Sequence, residues 1–252
     1  MKLADAPALP RRFGLETTGD DCRYAMSHKP QTIGEGLVHT SLSDPSVSIR
    51  VHLWLVDAMR VIAGAARGRR LRALPGRSVR PTADRVKAAL FSMLQSRFDL
   101  DGIALLDLFA GTGALGIEAL SRGAARAVFV ELDHAARRIL SANLAACGFT
   151  PRGRIVPMAV ERALAELADG GERFGGVVMD PPYGRRLADV ALGQLATCGL
   201  VEPGGWVAAE HHVDDVVAEA YGDLRLTAAR RYGKTAVTLF SDSRIADQVA
   251  AS

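Results

Sequence analysis

The tetrapeptide Asp180-Pro181-Pro182-Tyr183 follows the apolar run "FGGVVM" and carries the groups needed to hold an exocyclic base amine. The Asp180 carboxylate and the Pro181 carbonyl are acceptors for its two N–H bonds. Pro181 and Pro182 stiffen the backbone between them, and the Tyr183 ring offers a stacking face worth about 1–3 kcal/mol to a base. An aryl amine is a weak nucleophile because its lone pair is delocalised into the ring. Acceptors on its hydrogens favour the pyramidal form, and a carboxylate can take the proton released when nitrogen forms a new bond. Pro-Pro after a strand is also ordinary punctuation, so the reading depends on what stands beside it.

Beside it is a nucleotide-type site. Gly111, Gly113 and Gly116 follow "IALLDLF" at G-x-G-x-x-G spacing, a tight strand-to-helix turn that serves NAD(P), FAD and S-adenosylmethionine alike. Asp107 lies inside the apolar strand, where a buried carboxylate needs a cationic or hydrogen-bonding partner. The ammonium of S-adenosylmethionine meets that need, whereas the pyrophosphate of NAD would repel it. Glu131 ends the next strand about 20 residues on, where an acidic side chain can accept both ribose hydroxyls. Asp133, ahead of "HAARRIL", is the expected N-cap of the following helix. A sulfonium methyl held in line with an amine at Asp180 completes a displacement. The cofactor contacts are therefore assigned to Asp107, Phe109, Ala110, Gly111, Gly113 and Glu131, with Asp180, Pro181, Pro182 and Tyr183 on the acceptor base.

Cys22, Cys147 and Cys198 lie far from one another and from these motifs, which excludes a cysteine nucleophile for cytosine C5 chemistry. They form no C-x-x-C pair and no metal-ligand spacing, so reduced thiols, a cytoplasmic setting and no metal are expected. The absence of a long apolar run argues against a membrane span.

Charge is unevenly spread. Between Arg60 and Lys87 nine basic residues face Asp84 alone, a local +8 in a chain of formal net charge +3, leaving −5 elsewhere. Arg60, Arg67, Arg69, Arg70, Arg72, Arg80 and Arg85 are accordingly assigned to nucleic acid. The run is rich in arginine and interleaved with glycine and proline, which favours phosphate contact over a salt-bridged helix face.

The elements that must position these groups read as alternating strands and helices. Residues 1–58, broken by Pro7, Pro10, Pro30 and Pro45, lack periodicity and read as a disordered leader, with Met59 as the expected start. Residues 59–98 read as a basic hairpin outside the core followed by a helix, 99–242 as the catalytic domain and 243–252 as a flexible tail. Within the domain, five apolar strands separated by helices imply right-handed crossovers and a mostly parallel α/β sheet. Leu224–Arg230 and Thr235–Phe240, joined by a hairpin-sized turn, add an antiparallel strand at the end.

In the same order, "RVIAGAARGRRL", "RPTADRVKAALF", "DLFAGTGALGIEALSRGA", "VELD" and "MDPPY" resemble the RsmD-type methyltransferases that modify a guanine N2 amine in 16S ribosomal RNA. The resemblance spans Met59 to Phe240, and its first two blocks are the distinctive ones. It implies a Rossmann-like, seven-stranded sheet, S-adenosyl-L-methionine as cofactor and the small ribosomal subunit or its RNA as partner; a monomer is expected. One position departs: where many such enzymes carry Asp or Asn after the third strand to read the adenine amine, this chain has Ala159 and Val160, so backbone groups near Val160 are assigned that contact. Two alternatives stand beside this reading, an adenine-N6 methyltransferase acting on DNA or RNA and a non-catalytic RNA-binding protein on a methyltransferase fold.

Overall fold

The structure, a computed structural model, describes residues 15–18, 21–24, 59–74, 81–182 and 186–244. The chain divides into two units, Met1–Val56 and Asp57–Ser252. In the first, β1 (Leu15–Thr18) and β2 (Asp21–Tyr24) form an antiparallel ladder in register Leu15 to Tyr24, in a segment whose sequence predicted no element.

The second unit holds the sheet. Its strands are β3 (Ala104–Leu108), β4 (Arg126–Val130), β5 (Gly153–Val156), β6 (Phe174–Met179), β7 (Val201–His212), β8 (Ala220–Tyr221), β9 (Leu224–Tyr232) and β10 (Thr235–Asp242), in the order β5-β4-β3-β6-β7-β10-β9-β8. The pairs from β5 to β7 are parallel, and β10 runs antiparallel to both β7 and β9. The sheet thus has eight strands, not seven. The additional one, β8, is two residues long and too short to show a period in sequence.

Helices α1 (Pro81–Gln95), α2 (Ala114–Ser121) and α3 (His134–Ala146) cover one face, and α4 (Val160–Asp169) and α5 (Leu187–Cys198) the other. Leu90, Phe91, Ile117 and Leu140 pack with Phe129 and Trp206 on the first face. On the second, Leu164, Leu192 and Leu195 pack with Val177, Met179 and Phe240. Every residue of β6 is buried, as expected of a central parallel strand covered on both sides.

The basic segment corrects the expectation of an extension lying outside the core. Val61, Ala66 and Leu71 are buried within the first cluster. The hairpin is limited to a single bridge between Arg60 and Arg70, with Val61 N–H donating to the Arg69 carbonyl at 2.9 Å and Gly68 N–H to that of Val61 at 2.8 Å. Side chains of the main domain fasten it. The buried Glu118 carboxylate of α2 accepts from Ile62 N–H (2.8 Å) and Ala63 N–H (3.0 Å), and lies 3.3 Å from the buried Lys87 ammonium. Ser121 Oγ accepts from Ala66 N–H at 2.9 Å and donates to the Ala63 carbonyl at 2.5 Å.

Candidate active site

Strand register brings the predicted groups to one edge. Leu108 pairs with both Val130 and Met179, and Val130 with Val156, so the carboxyl ends of β3, β4, β5 and β6 are level. Phe109, Glu131 and Asp180 each follow directly, and Asp107 sits one residue back. The chain moves outward from β3 to β4 and β5, then returns to β6 on the other side of β3. The β3/β6 boundary is therefore the topological switch point, where open α/β sheets bind ligands.

The turn leaving β3 is held in an unusual conformation. Phe109 has φ 58°, in the left-handed region that a residue with a side chain adopts only when its surroundings enforce it. Ala110 N–H donates to the Val130 carbonyl (3.0 Å) and Gly113 N–H to the Ala110 carbonyl (2.8 Å), closing the loop against β4. Gly113 has φ 84°, and a Cβ there would stand 2.2 Å from Leu140 Cδ1. At Gly116 a Cβ would meet the Phe129 ring at 2.3 Å and Asp107 Oδ2 at 2.9 Å. The third glycine therefore lets α2 approach the sheet closely, as the motif requires.

Asp107 is 2% exposed, and its Oδ2 accepts from Gly116 N–H at 2.9 Å. The carboxylate thus ties down the start of α2 as well as facing the edge. Burial pushes its pKa up to about 8; the Gly116 hydrogen bond opposes this, and the negative charges of Asp180 and Glu131 add to the rise. An edge that gathers three carboxylates and leaves the buried one reluctant to ionise suits a cationic ligand. S-adenosyl-L-methionine carries a sulfonium and an ammonium, and these residues fit it; a pyrophosphate is the opposite charge.

Glu131 has a structural task that sequence did not show. Its Oε2 accepts from Gly111 N–H and its Oε1 from Asp133 N–H, both at 2.7 Å, so it fixes the glycine loop and the turn into α3. Each oxygen retains a further lone pair for a hydroxyl. Asp133 is the N-cap, accepting from Ala136 N–H at 2.7 Å. Val160 is the buried first residue of α4, after an Ala159 cap that supplies no side-chain hydrogen bond, so only backbone groups are offered there. Asp180 is exposed at the edge, Pro181 is buried and Pro182 exposed, while Tyr183 lies outside the described residues.

Of the predicted nucleic-acid contacts, Arg67, Arg69, Arg70, Arg72 and Arg85 are exposed, with no carboxylate within ion-pair distance among the described residues. Arg60 stands 3.7 Å from Asp84. Arg80 lies outside the described residues. Elsewhere Arg122, Arg126, Arg154, Arg162, Arg186 and Arg244 each face a carboxylate. Sequence reasoning missed Glu118 and Asn143, both polar residues on apolar helix faces. That misplacement within the helical pattern was the available signal.

The family model described as Conserved hypothetical protein 95 matches residues 59–241. The chain belongs to this family. It is 39% identical over 182 residues to the Bacillus subtilis protein named "Putative rRNA methyltransferase YlbH", covering 72% of this chain and 98% of that protein. The Escherichia coli K12 "Ribosomal RNA small subunit methyltransferase D" is 38% identical over 152 residues, 60% of this chain and 71% of its own. A solved structure of a Thermus thermophilus hypothetical protein superposes with TM-score 0.62 at 38% identity, over 71% of this chain and 97% of that one. The curated relatives are named methyltransferases, and the carboxylate edge fits S-adenosyl-L-methionine as the cofactor. Among the described residues no cluster could hold a metal ion, and no helix is long and apolar enough to cross a membrane.

Proposed function

We propose that this chain transfers a methyl group to the exocyclic N2 amine of a guanine in small-subunit (16S) ribosomal RNA. The carrying observation is the convergence of Asp107, Glu131 and Asp180 on the β3/β6 edge, with the proline-stiffened loop at its rim. When bound, the cofactor supplies a methyl group on an electron-poor sulfur.

The chain's own residues do the rest. Asp107 and the glycine loop seat the cationic end, and Glu131 accepts from the ribose hydroxyls. Val160 and its neighbours offer backbone groups to the adenine. The Asp180 carboxylate and Pro181 carbonyl accept the two N–H bonds of the target amine, which localises its lone pair towards the methyl group. Asp180 would take the proton that leaves the amine nitrogen once it is methylated. Tyr183 stacks on the base. Arg60, Arg67, Arg69, Arg70, Arg72, Arg80 and Arg85 hold the phosphates around it. The relatives named for ribosomal RNA support this substrate class, and action as a monomer in the cytoplasm is part of the proposal.

The test is transfer of tritiated methyl to small-subunit RNA against duplex DNA, followed by mass-spectrometric mapping of the product. N2-methylguanosine in the RNA is the expected product. Label on adenine N6 would replace this reading with the adenine alternative, and cofactor binding without transfer to either polymer would leave a binding protein.

A further inference from the structure

Asn143 lies at a junction that neither the glycine loop nor the basic segment accounts for. It sits on α3, 1% exposed, and its side-chain amide makes three hydrogen bonds. Oδ1 accepts from Arg72 N–H at 2.8 Å, and Nδ2 donates to the Arg72 carbonyl at 3.1 Å and to the Thr112 carbonyl at 2.9 Å. Thr112 is the residue between Gly111 and Gly113. One buried side chain therefore grips both backbone groups of the last arginine in the "RGRRLR" run and the middle carbonyl of the cofactor turn. An amide does this well because it donates and accepts at once, and none of its three bonds is replaceable by water at a buried position.

We propose that Asn143 is a positioning residue that couples RNA binding at the basic segment to cofactor binding at the glycine loop. Ordering of the Gly111–Gly113 turn by the cofactor fixes the Thr112 carbonyl. The fixed carbonyl orients the Asn143 amide, and the amide holds Arg72 in place for phosphate contact. By linkage the effect is reciprocal, so RNA on the segment tightens the cofactor by the same factor. The inference rests on the reading of the basic segment as the RNA surface.

The experiment measures the affinity of the full chain for a small-subunit RNA fragment with and without saturating S-adenosylhomocysteine, in the wild type, in Asn143→Ala and in Asn143→Asp. In the wild type the product cofactor should raise RNA affinity by about fivefold or more. Asn143→Asp keeps an acceptor for Arg72 N–H but loses both donated bonds, and Asn143→Ala loses all three. In both the enhancement should fall to within roughly twofold, while binding of S-adenosylhomocysteine persists. An equal enhancement in the variants, or none in the wild type, overturns the proposal.

Should either variant fail to fold, hydrogen exchange on the wild type decides. S-adenosylhomocysteine should slow exchange of the Arg72 amide, and unchanged exchange there refutes the coupling. RNA affinity that ignores the arginines altogether would refute the RNA surface instead, and the exchange measurement, which contains no RNA, separates the two failures.

Discussion

Replacing Asp107 by Asn should flatten the pH dependence of stability, and the size of the change follows from the site. In the folded chain burial pushes the Asp107 carboxyl up to about 8 from the ordinary 3.8, with Asp180 and Glu131 contributing. Between those two values the folded state holds a proton that the unfolded state has released. Stability from this group is therefore fully present below about pH 4 and is lost as pH rises through about 8. The slope within the window is about 1.4 kcal/mol per pH unit, so roughly 2 kcal/mol goes between about pH 6 and about pH 7.5. For a domain of this size 1 kcal/mol shifts the melting temperature by about 2–4 °C. The wild-type Tm should thus fall about 4–8 °C further than that of Asp107→Asn across this interval. Asparagine keeps an acceptor for Gly116 N–H, and the other titrating groups are common to both chains, so the difference isolates this carboxyl. Calorimetric melts of the two cofactor-free chains at matched pH provide the assay. Binding responds to the same proton, because a cationic cofactor favours the ionised carboxylate. Its affinity should rise with pH over the same interval in the wild type and stay flat in the variant. Parallel Tm curves for the two chains would refute the reasoning.

Asp180→Ala should lower methyl transfer by at least about 10- to 150-fold, the equivalent of a charged hydrogen bond of roughly 1.5–3 kcal/mol, with S-adenosylhomocysteine affinity nearly unchanged; wild-type turnover would remove Asp180 from the mechanism. Neutralising Arg67, Arg69, Arg70 and Arg72 together should flatten the slope of log K against log salt for single-stranded RNA by about 0.7 per phosphate contact, or roughly 3 in all. An unchanged slope would make that run a solvated face. Glu118→Ala strands the buried Lys87 and Arg122 charges and the Ile62 and Ala63 amides, and should destabilise the chain by about 3–5 kcal/mol in urea melts. A loss below about 1 kcal/mol would show that Glu118 is not what fastens the basic segment.

The carboxylate edge was legible because its signals sit where apolar runs stop. Asp107, Glu131 and Asp180 interrupt or follow such runs, and a parallel register then brings them level without further information. Asp133 marked the start of α3 for the same local reason. What escaped had no local period. Val201 pairs with Phe174 but Trp206 with Gly176, so the "VEPGG" that reads as a turn is an irregularity within β7, and the strand begins earlier than its alternation suggests. Val61, Ala66 and Leu71 are each five residues apart, matching neither a strand nor a helix, so their burial follows only from what α1 and α2 present to them. Asn143 and Glu118 stand on buried faces, and their partners are 71 and 56 residues away, contacts that no window along the chain contains.

The distribution of charge separates two demands that would otherwise compete. In the proposed reaction a cationic cofactor and a polyanionic substrate meet at one nitrogen, yet each would be drawn to the other's site if the charges were mixed. Here six arginines of the main domain face carboxylates, as Arg126 and Arg154 face Glu172 and Arg122 faces Glu118. Arg67, Arg69, Arg70 and Arg72 are held out by a backbone whose apolar residues and amides are fastened to α2 and α3. The three carboxylates at the β3/β6 edge gather with a mutual repulsion that stability alone would avoid, since burial and like charge both raise Asp107. Stability selected by itself would pair the two sets. Their separation, with the Asn143 amide as a link between their backbones, is the arrangement expected where a cation and a polyanion are bound at once.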